Sequence, residues 1–113
     1  MAVIPLTSLS QFNCVINTDR VAIIYFWAYW CGPCRGMSPI FDGVANSGSL
    51  VGVDFYRVDI DQAIDIVQHV GGQTIPGFYV YHRGQKLRQL IGASELELQN
   101  LFGAATRAAQ SCT

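Results

Sequence analysis

Residues 21–28 form the longest apolar run of the chain, and this run restricts the fold more than any other feature. It is continuously apolar, whereas a strand with one solvated face would alternate apolar and polar residues. We therefore expect a central strand that helices cover on both faces, inside an α/β domain. With eight residues the run is far shorter than the roughly 20 that cross a bilayer, so it is not expected to span a membrane.

The spacing of apolar residues changes directly after this run. From position 37 onward it follows i, i+3, i+4, i+7 and i+8, which is the stripe of one helix face. The stripe consists of Met37, Ile40, Phe41, Val44 and Ala45. We expect this helix to open near Cys34 and to be kinked at Pro39, which cannot donate a backbone hydrogen bond.

Shorter elements complete the chain. Strands are predicted at residues 2–4, 53–58, 78–81 and 87–91, the last two joined by a turn at 83–85. Helices are predicted within residues 6–16, after a cap at Asp61 and before the two glycines at 71 and 72, and after a capping box at 94–97. The order βαβαβαββα predicts a mixed sheet, with a parallel half built by crossovers and an antiparallel half built by the hairpin.

Length and charge limit the class of protein. A chain of 113 residues corresponds to one domain, here residues 1–113. Seven Lys and Arg against eight Asp and Glu leave a formal charge of −1, which gives no basic surface for nucleic acid and no cationic face for anionic membranes. The first residues lack the basic start and apolar stretch of a secretory signal. We expect a cytoplasmic protein that binds neither nucleic acid nor membrane.

Four cysteines stand at positions 14, 31, 34 and 112. A disulfide between Cys31 and Cys34 would close a ring so small that it restricts the unfolded chain by only about 2 kcal/mol, against about 3 kcal/mol for a loop of roughly 15 residues. A bond that stabilises so little is better explained by being made and broken. The cysteines therefore indicate redox chemistry in a reducing compartment.

Cys31 and Cys34 lie where the apolar strand ends and the long helix begins, a place where sites form in open α/β sheets. The N–H groups and the positive dipole end of a helix N-terminus favour a thiolate. Cys31 lies closer to the loop and is predicted to be the nucleophile, whereas Cys34 is predicted to be the more buried, resolving thiol. Gly32, which leaves room for the backbone, and Pro33, which fixes φ, are expected to tune the pair.

Two other interpretations of the cysteine pair have less support. A zinc site needs four ligands, but the chain has one Cys-x-x-Cys pair, and His69 and His82 lack ligand spacing. A purely structural disulfide would contribute little stability because its ring is small. We therefore expect a redox dithiol that needs neither a metal ion nor a bound cofactor.

The segment Trp30-Cys31-Gly32-Pro33-Cys34 resembles the thioredoxin family, and the resemblance covers nearly the whole chain. Further matching segments are residues 26–29, 37–41, 58–61, 75–78 and 92–93. The resemblance implies a thioredoxin fold, with a central five-stranded mixed sheet flanked by four helices. It also implies a protein-disulfide reductase that cycles between dithiol and disulfide and takes electrons from NADPH through thioredoxin reductase. Its targets would be disulfide-containing proteins such as peroxiredoxins and reductases.

The resemblance also implies roles for residues around the dithiol. Substrate contacts are implied for Trp30, Ile75, Pro76 and Gly92, and support of the active-site loop for Trp27 and Asp61. The bond before Pro76 would be cis, and Pro76 would pack beside the dithiol. The Ile75 backbone would then pair with an extended substrate chain. The Trp27 indole would donate a hydrogen bond toward Asp61.

Three positions depart from the family pattern. Tyr25 stands where the family has a buried Asp that accepts the proton of the resolving cysteine, and Arg57 stands where a Lys commonly partners that Asp. A phenol, whose pKa is about 10, is no base at neutral pH. Either another group, water or the substrate thiolate takes the Cys34 proton, or the protein is a slow or specialised reductant. Gly77 replaces the usual Thr after Pro76 and is expected to loosen that loop.

Tyr25 also keeps a different class of function open. A domain of this fold can act without its thiols, as a binding or chaperone module whose surface performs the task. A disulfide oxidase or isomerase is disfavoured by the Gly-Pro pair between the cysteines and by the missing signal sequence. The dithiol reductase is therefore the first hypothesis and the non-catalytic module its alternative.

The two outlying cysteines are expected to differ in exposure. Cys14 on an apolar helix face is predicted to be an inert core thiol. Cys112 lies next to the C-terminus and is predicted to be exposed. We expect a monomer, with a Cys112-linked dimer as an alternative under oxidation. A bridge between these two cysteines is not expected, because the family fold places the first and last helices on opposite faces of the sheet.

Overall fold

Nine elements follow one another across residues 2–71 and 74–110, which the computed structural model describes. The strands are β1 (Val3–Pro5), β2 (Val21–Trp27), β3 (Val53–Asp59), β4 (Gly77–His82) and β5 (Gln85–Ile91). The helices are α1 (Leu9–Ile16), α2 (Gly32–Ser47), α3 (Ile64–Val70) and α4 (Glu95–Gln110). This is the predicted order of elements. None of the described helices is long and apolar enough to cross a membrane.

The five strands form one mixed sheet in the order β1-β3-β2-β4-β5. β2 occupies the middle, parallel to β3 and antiparallel to β4, and β5 completes the hairpin at one edge. Because β2 has a strand on each side and helices above and below, its residues are buried or nearly so, which accounts for its continuous apolar sequence. The predicted five-stranded mixed sheet with four helices is confirmed.

Alternate residues of β2 point into two separate apolar cores. Ile23 and Tyr25 pack with residues of α2 and α4 on one face, and Ile24 and Phe26 pack with residues of α1 and α3 on the other. The predicted buried face of α4 is confirmed at Leu98, Leu101, Phe102 and Ala105. The first and last helices therefore cover opposite faces of the sheet, as expected.

Of the helix caps predicted for α4 and α3, the first is confirmed and the second is wrong. The predicted cap of α4 at Ser94 is present, since the Glu97 N–H donates to Ser94 Oγ at 3.2 Å. The predicted cap of α3 by Asp61 is wrong, because α3 begins at Ile64 without a side-chain cap. The Asp61 N–H instead donates to Asp59 Oδ1 at 2.9 Å, so Asp59 shapes the turn before this helix.

The prediction that Cys14 is a packed core thiol is wrong, because the structure places it on the exposed side of α1. Phe12 and Ile16 set the buried side of this helix. Position 14 follows Phe12 by two residues, which is about 200° around a helix of 3.6 residues per turn, so its side chain points to solvent. Cys112 lies outside the described residues.

Candidate active site

Cys31 and Cys34 are joined by a disulfide at the start of α2, shortly after the end of β2. Cys31 is the N-cap of α2, and its Sγ accepts a hydrogen bond from the Cys34 N–H at 3.1 Å. Gly32 and Pro33 form the exposed first turn between them. A sulfur held over the N-terminal N–H groups of a helix is stabilised as a thiolate when the bond is reduced. The predicted position of the pair at the strand–helix junction is confirmed.

The two cysteines are similarly buried, whereas the loop before them is exposed. Cys31 is 4% and Cys34 2% exposed, but Tyr29 and Trp30 are 79% and 65% exposed. A large indole on the surface beside a buried disulfide offers a contact for another protein close to the reacting sulfur atoms.

Trp30, and not Trp27, is the tryptophan that bonds to Asp61. The Trp30 indole Nε1 donates to Asp61 Oδ2 at 2.8 Å, so the expected hydrogen bond from Trp27 to Asp61 is wrong. Trp27 ends β2 in register with Asp59, and its carbonyl accepts a hydrogen bond from the Ile60 N–H at 3.0 Å. Its backbone therefore ties the strand ends together. Its buried Nε1 has no hydrogen-bond partner among the described residues.

The Ile75–Pro76 bond is cis, as the family resemblance implied. Pro76 is buried, and its carbonyl accepts a hydrogen bond from the Gly92 N–H at 2.9 Å. Gly92 has a φ of 124°, a conformation that favours glycine. Gly77 pairs with Phe26 near the end of β2, so this segment lies at the same edge of the sheet as the dithiol.

Tyr25 lies beneath the first turns of α2. Its ring is 2% exposed and stacks on Phe78, with 4.6 Å between ring centroids. Its hydroxyl donates to the Cys34 carbonyl at 3.2 Å and lies 2.8 Å from Ser38 Oγ. Because the phenol proton goes to the carbonyl, the Ser38 hydroxyl donates to the phenol oxygen. Tyr25 thus fixes the backbone of Cys34.

The phenol of Tyr25 is not a proton acceptor at neutral pH. Burial raises its pKa above the ordinary value, the negative charge of Asp42 adds to this rise, and the hydrogen bond from Ser38 opposes it. Tyr25 therefore stays protonated where a buried Asp in the family would be a base. Arg57 lies in register with Tyr25 on the neighbouring strand.

Two clefts reach this region from the surface. A cleft of about 600 Å³ is lined by Trp27, Ala28, Tyr29, Cys31, Cys34, Arg35, Ser38, Pro39 and Asp42. A second, of about 260 Å³, is lined by Tyr25, Trp27, Ser38, Asp42 and Arg57. Ser38 and Asp42 were not singled out in the sequence. Their signal was a spacing of four and eight residues from Cys34, which places them along one helix face. No cluster that could hold a metal ion occurs among the described His, Cys, Asp and Glu residues.

Comparisons with known proteins agree with this geometry. The thioredoxin family model matches residues 3–103. The chain is 40% identical over 96 residues to the thioredoxin of Coprinus comatus, which covers 85% of this chain and 91% of that protein. It is 38% identical over 94 residues to the thioredoxin of Malassezia sympodialis, with 83% and 90% covered. The crystal structure of Malassezia sympodialis thioredoxin superposes with a TM-score of 0.87 at 35% identity, over 94% of this chain and 95% of that chain.

Proposed function

This chain belongs to the thioredoxin family, and from that membership we propose how its dithiol reduces the disulfides of other proteins. The chain is a thiol-disulfide oxidoreductase with a redox-active pair, Cys31 and Cys34. One observation carries the proposal: Cys31 is at once the N-cap of α2 and a partner in a disulfide with Cys34. That position supplies both a stabilised thiolate and a second thiol within reach.

The proposed reaction proceeds by two exchanges. The Cys31 thiolate attacks one sulfur of the target disulfide, so that a mixed disulfide forms and the other target sulfur leaves as a thiolate. Cys34 then loses its proton and attacks Cys31 Sγ. The bond between Cys31 and Cys34 forms, the bond to the target breaks, and the second target sulfur leaves. Two electrons pass to the target, and the dithiol is oxidised.

The proposed substrate surface surrounds the pair. Exposure of Trp30, and the hydrogen bond that ties it to Asp61, support a contact role for this indole. We assign Ile75, Pro76 and Gly92 to the same surface. Ile75 is half-buried, and its backbone makes no hydrogen bond to any other described residue, so it can pair with an extended chain. Trp27 supports the loop from beneath through its backbone.

The remaining expectations are proposals that rest on family membership. Thioredoxin reductase supplies electrons from NADPH, and proteins with accessible disulfides, such as peroxiredoxins and reductases, receive them. Residues 1–113 act as a single domain in the cytoplasm, as a monomer without a bound cofactor. Gly32, Pro33, Tyr25 and Arg57 tune the redox pair. The Cys112-linked dimer remains an alternative under oxidation.

Insulin reduction by dithiothreitol tests the reductase against the non-catalytic binding module. We expect wild-type protein to accelerate insulin precipitation at pH 7 and Cys31→Ser to give only the dithiothreitol background. Asp19→Asn is a control, because the Asp19 side chain is 92% exposed and lies before β2, whereas the dithiol follows that strand. No acceleration by wild-type protein with a native melting curve would favour the binding module.

A further inference from the structure

Three side chains of α2 form a polar line that begins at the resolving cysteine. Cys34, Ser38 and Asp42 stand four residues apart, and such neighbours on a helix have Cβ atoms about 5–6 Å from each other. Ser38 and Asp42 are half-buried, and Cys34 is buried. A proton leaving Cys34 therefore meets a hydroxyl after one turn and a carboxylate after two.

The space beside this line is open to water. Ser38, Asp42 and Trp27 line both clefts, of about 600 Å³ and about 260 Å³, and Cys34 lines the larger one. A water molecule occupies about 30 Å³, so each cleft holds several. Water can thus connect groups that are too far apart for direct hydrogen bonds.

Among the described residues that line the two clefts, Asp42 has the only carboxylate, and it lines both. The other charged lining groups are Arg35 of α2 and Arg57 of β3, and a guanidinium does not accept protons. The titratable neutral groups are Tyr25, Tyr29 and the two thiols. Burial keeps the Tyr25 phenol protonated by raising its pKa.

We propose that Asp42 accepts the proton of Cys34, through water in the clefts that Ser38 positions, when Cys34 attacks the mixed disulfide. The Ser38 hydroxyl donates its hydrogen to Tyr25 and accepts a hydrogen bond from this water. The proton leaves Cys34 Sγ, passes along the water, and arrives on the Asp42 carboxylate. The resulting thiolate forms the bond to Cys31 Sγ and expels the target thiolate, which takes a proton from solvent. This role rests on the proposed reductase function. Tyr25 serves as a positioning residue that holds Ser38.

Stopped-flow reaction of the reduced protein with 5,5′-dithiobis(2-nitrobenzoate) separates the two exchanges. Attack by Cys31 releases one thionitrobenzoate, and attack by Cys34 on the mixed disulfide releases the second. The outlying cysteines are removed first by Cys14→Ser and Cys112→Ser. We expect Asp42→Asn to slow the second release about tenfold at pH 7, a modest share of what general bases contribute, and to leave the first unchanged.

The pH profile and matched variants identify proton acceptance as the cause. The second-phase rates of wild type and Asp42→Asn should converge as pH rises, because the Cys34 thiol then ionises without an acceptor. Asp42→Glu should restore much of the rate, and Asp19→Asn should behave as wild type. If Asp42→Asn melts early, Ser38→Ala provides the same comparison.

Each outcome has one meaning. Equal second phases in wild type and the Asp42 and Ser38 variants, or equal slowing at every pH, would overturn the role of Asp42. Slowing of the second phase by Asp19→Asn would overturn it as well, because a general change in charge would then suffice. A wild-type protein that releases no second thionitrobenzoate would instead contradict the proposed reductase itself.

Discussion

The dithiol has an outer side, formed by Trp30, Ile75 and Pro76, and an inner side, formed by Tyr25, Ser38 and Asp42. The family resemblance extends to the residues of the outer side and fails on the inner side at Tyr25. On the outer side an exposed indole and a cis proline adjoin the cysteines. On the inner side the Tyr25 phenol, hydrogen-bonded to Cys34 and Ser38, stands where the family resemblance predicts a carboxylate.

The two proposed exchanges therefore depend on different parts of the protein. In the proposed reaction Cys31 gains its reactivity from backbone N–H groups at the start of α2, which need no side chain from β2. Cys34 must lose a proton, and that step depends on the side chains of the inner side. A chain can therefore replace the buried acid and keep the first exchange intact. Variants on the two sides should show distinct effects.

Cys34→Ser acts where the two sides meet and should have the largest effect. Without the resolving thiol the mixed disulfide persists, so multiple turnover should fall by at least about a hundredfold. Non-reducing gels should show a covalent adduct with a disulfide-bearing target. The experiment is done with Cys14→Ser present, because Cys14 is exposed. An adduct that forms equally well with Cys31→Ser would contradict the assignment of the nucleophile.

Tyr25→Asp should cost the most stability on the inner side. It removes a ring that stacks on Phe78 and places a carboxyl group in a buried position, so the free energy of unfolding should fall by about 3 kcal/mol or more. The new carboxyl should titrate above about 3.9 because of burial. Urea unfolding measures the loss. Unchanged stability would mean that position 25 is not buried.

Tyr25→Asp also tests which group accepts the Cys34 proton, through its effect on reaction rates. With Asp42 present, Tyr25→Asp should leave the rate of insulin reduction at pH 7 unchanged, because an acceptor already exists. In combination with Asp42→Asn, Tyr25→Asp should restore the second phase. A marked acceleration by Tyr25→Asp alone would show that proton acceptance limits the wild-type protein.

Tyr25→Phe should have a smaller effect, because it keeps the ring and removes only the hydroxyl. Loss of the bonds to Cys34 and Ser38 should cost about 1–2 kcal/mol at pH 7. A raised phenol pKa stabilises the fold below the unfolded value of about 10, and this contribution is lost as pH rises further. Wild-type stability should therefore fall above pH 10.

Urea unfolding of the disulfide form at pH 7 and at about pH 10.5 measures this slope. The fall between the two pH values should be smaller in Tyr25→Phe than in wild type. It should not vanish, because burial also raises the pKa of Tyr81, to about 12, in the opposite core. Identical slopes in the two proteins would contradict the burial of the Tyr25 hydroxyl.

Asp61→Ala, which removes the acceptor of the Trp30 indole, tests the outer side and should have the smallest effect. Its bond to Trp30 is exposed, so stability should change by less than about 1 kcal/mol. The Trp30 side chain would be freer, and ordering it on binding should raise the KM for insulin about threefold with kcat unchanged. A lower kcat at unchanged KM would place this bond in the chemistry instead.

Much of the fold follows from local patterns, but the contacts of single side chains do not. The unbroken apolar run of β2 predicted its central place, and the junction with α2 predicted the position of Cys31. The burial of Cys14 was predicted wrongly because its neighbours in the sequence are also apolar. The sequence therefore did not show that Phe12 and Ile16 define the buried face of α1. Its exposure depends on which face of α1 meets the sheet.

The candidate site was predictable where the motif is contiguous and was missed where it depends on packing. The choice between Trp27 and Trp30 as donor to Asp61 depends on the direction of the loop between them, which sequence spacing does not encode. The sequence alone did not point to Ser38 and Asp42, because their position on the clefts beside Cys34 depends on how α2 packs against β2.

NADPH oxidation coupled to thioredoxin reductase and insulin, compared between wild type and Cys34→Ser at pH 7, shows whether the chain is a dithiol reductase. We expect continuous turnover by the wild-type protein and none above background by Cys34→Ser, at equal melting temperatures. Equal turnover by the two proteins, or none by a folded wild-type protein, would contradict the proposed reductase function.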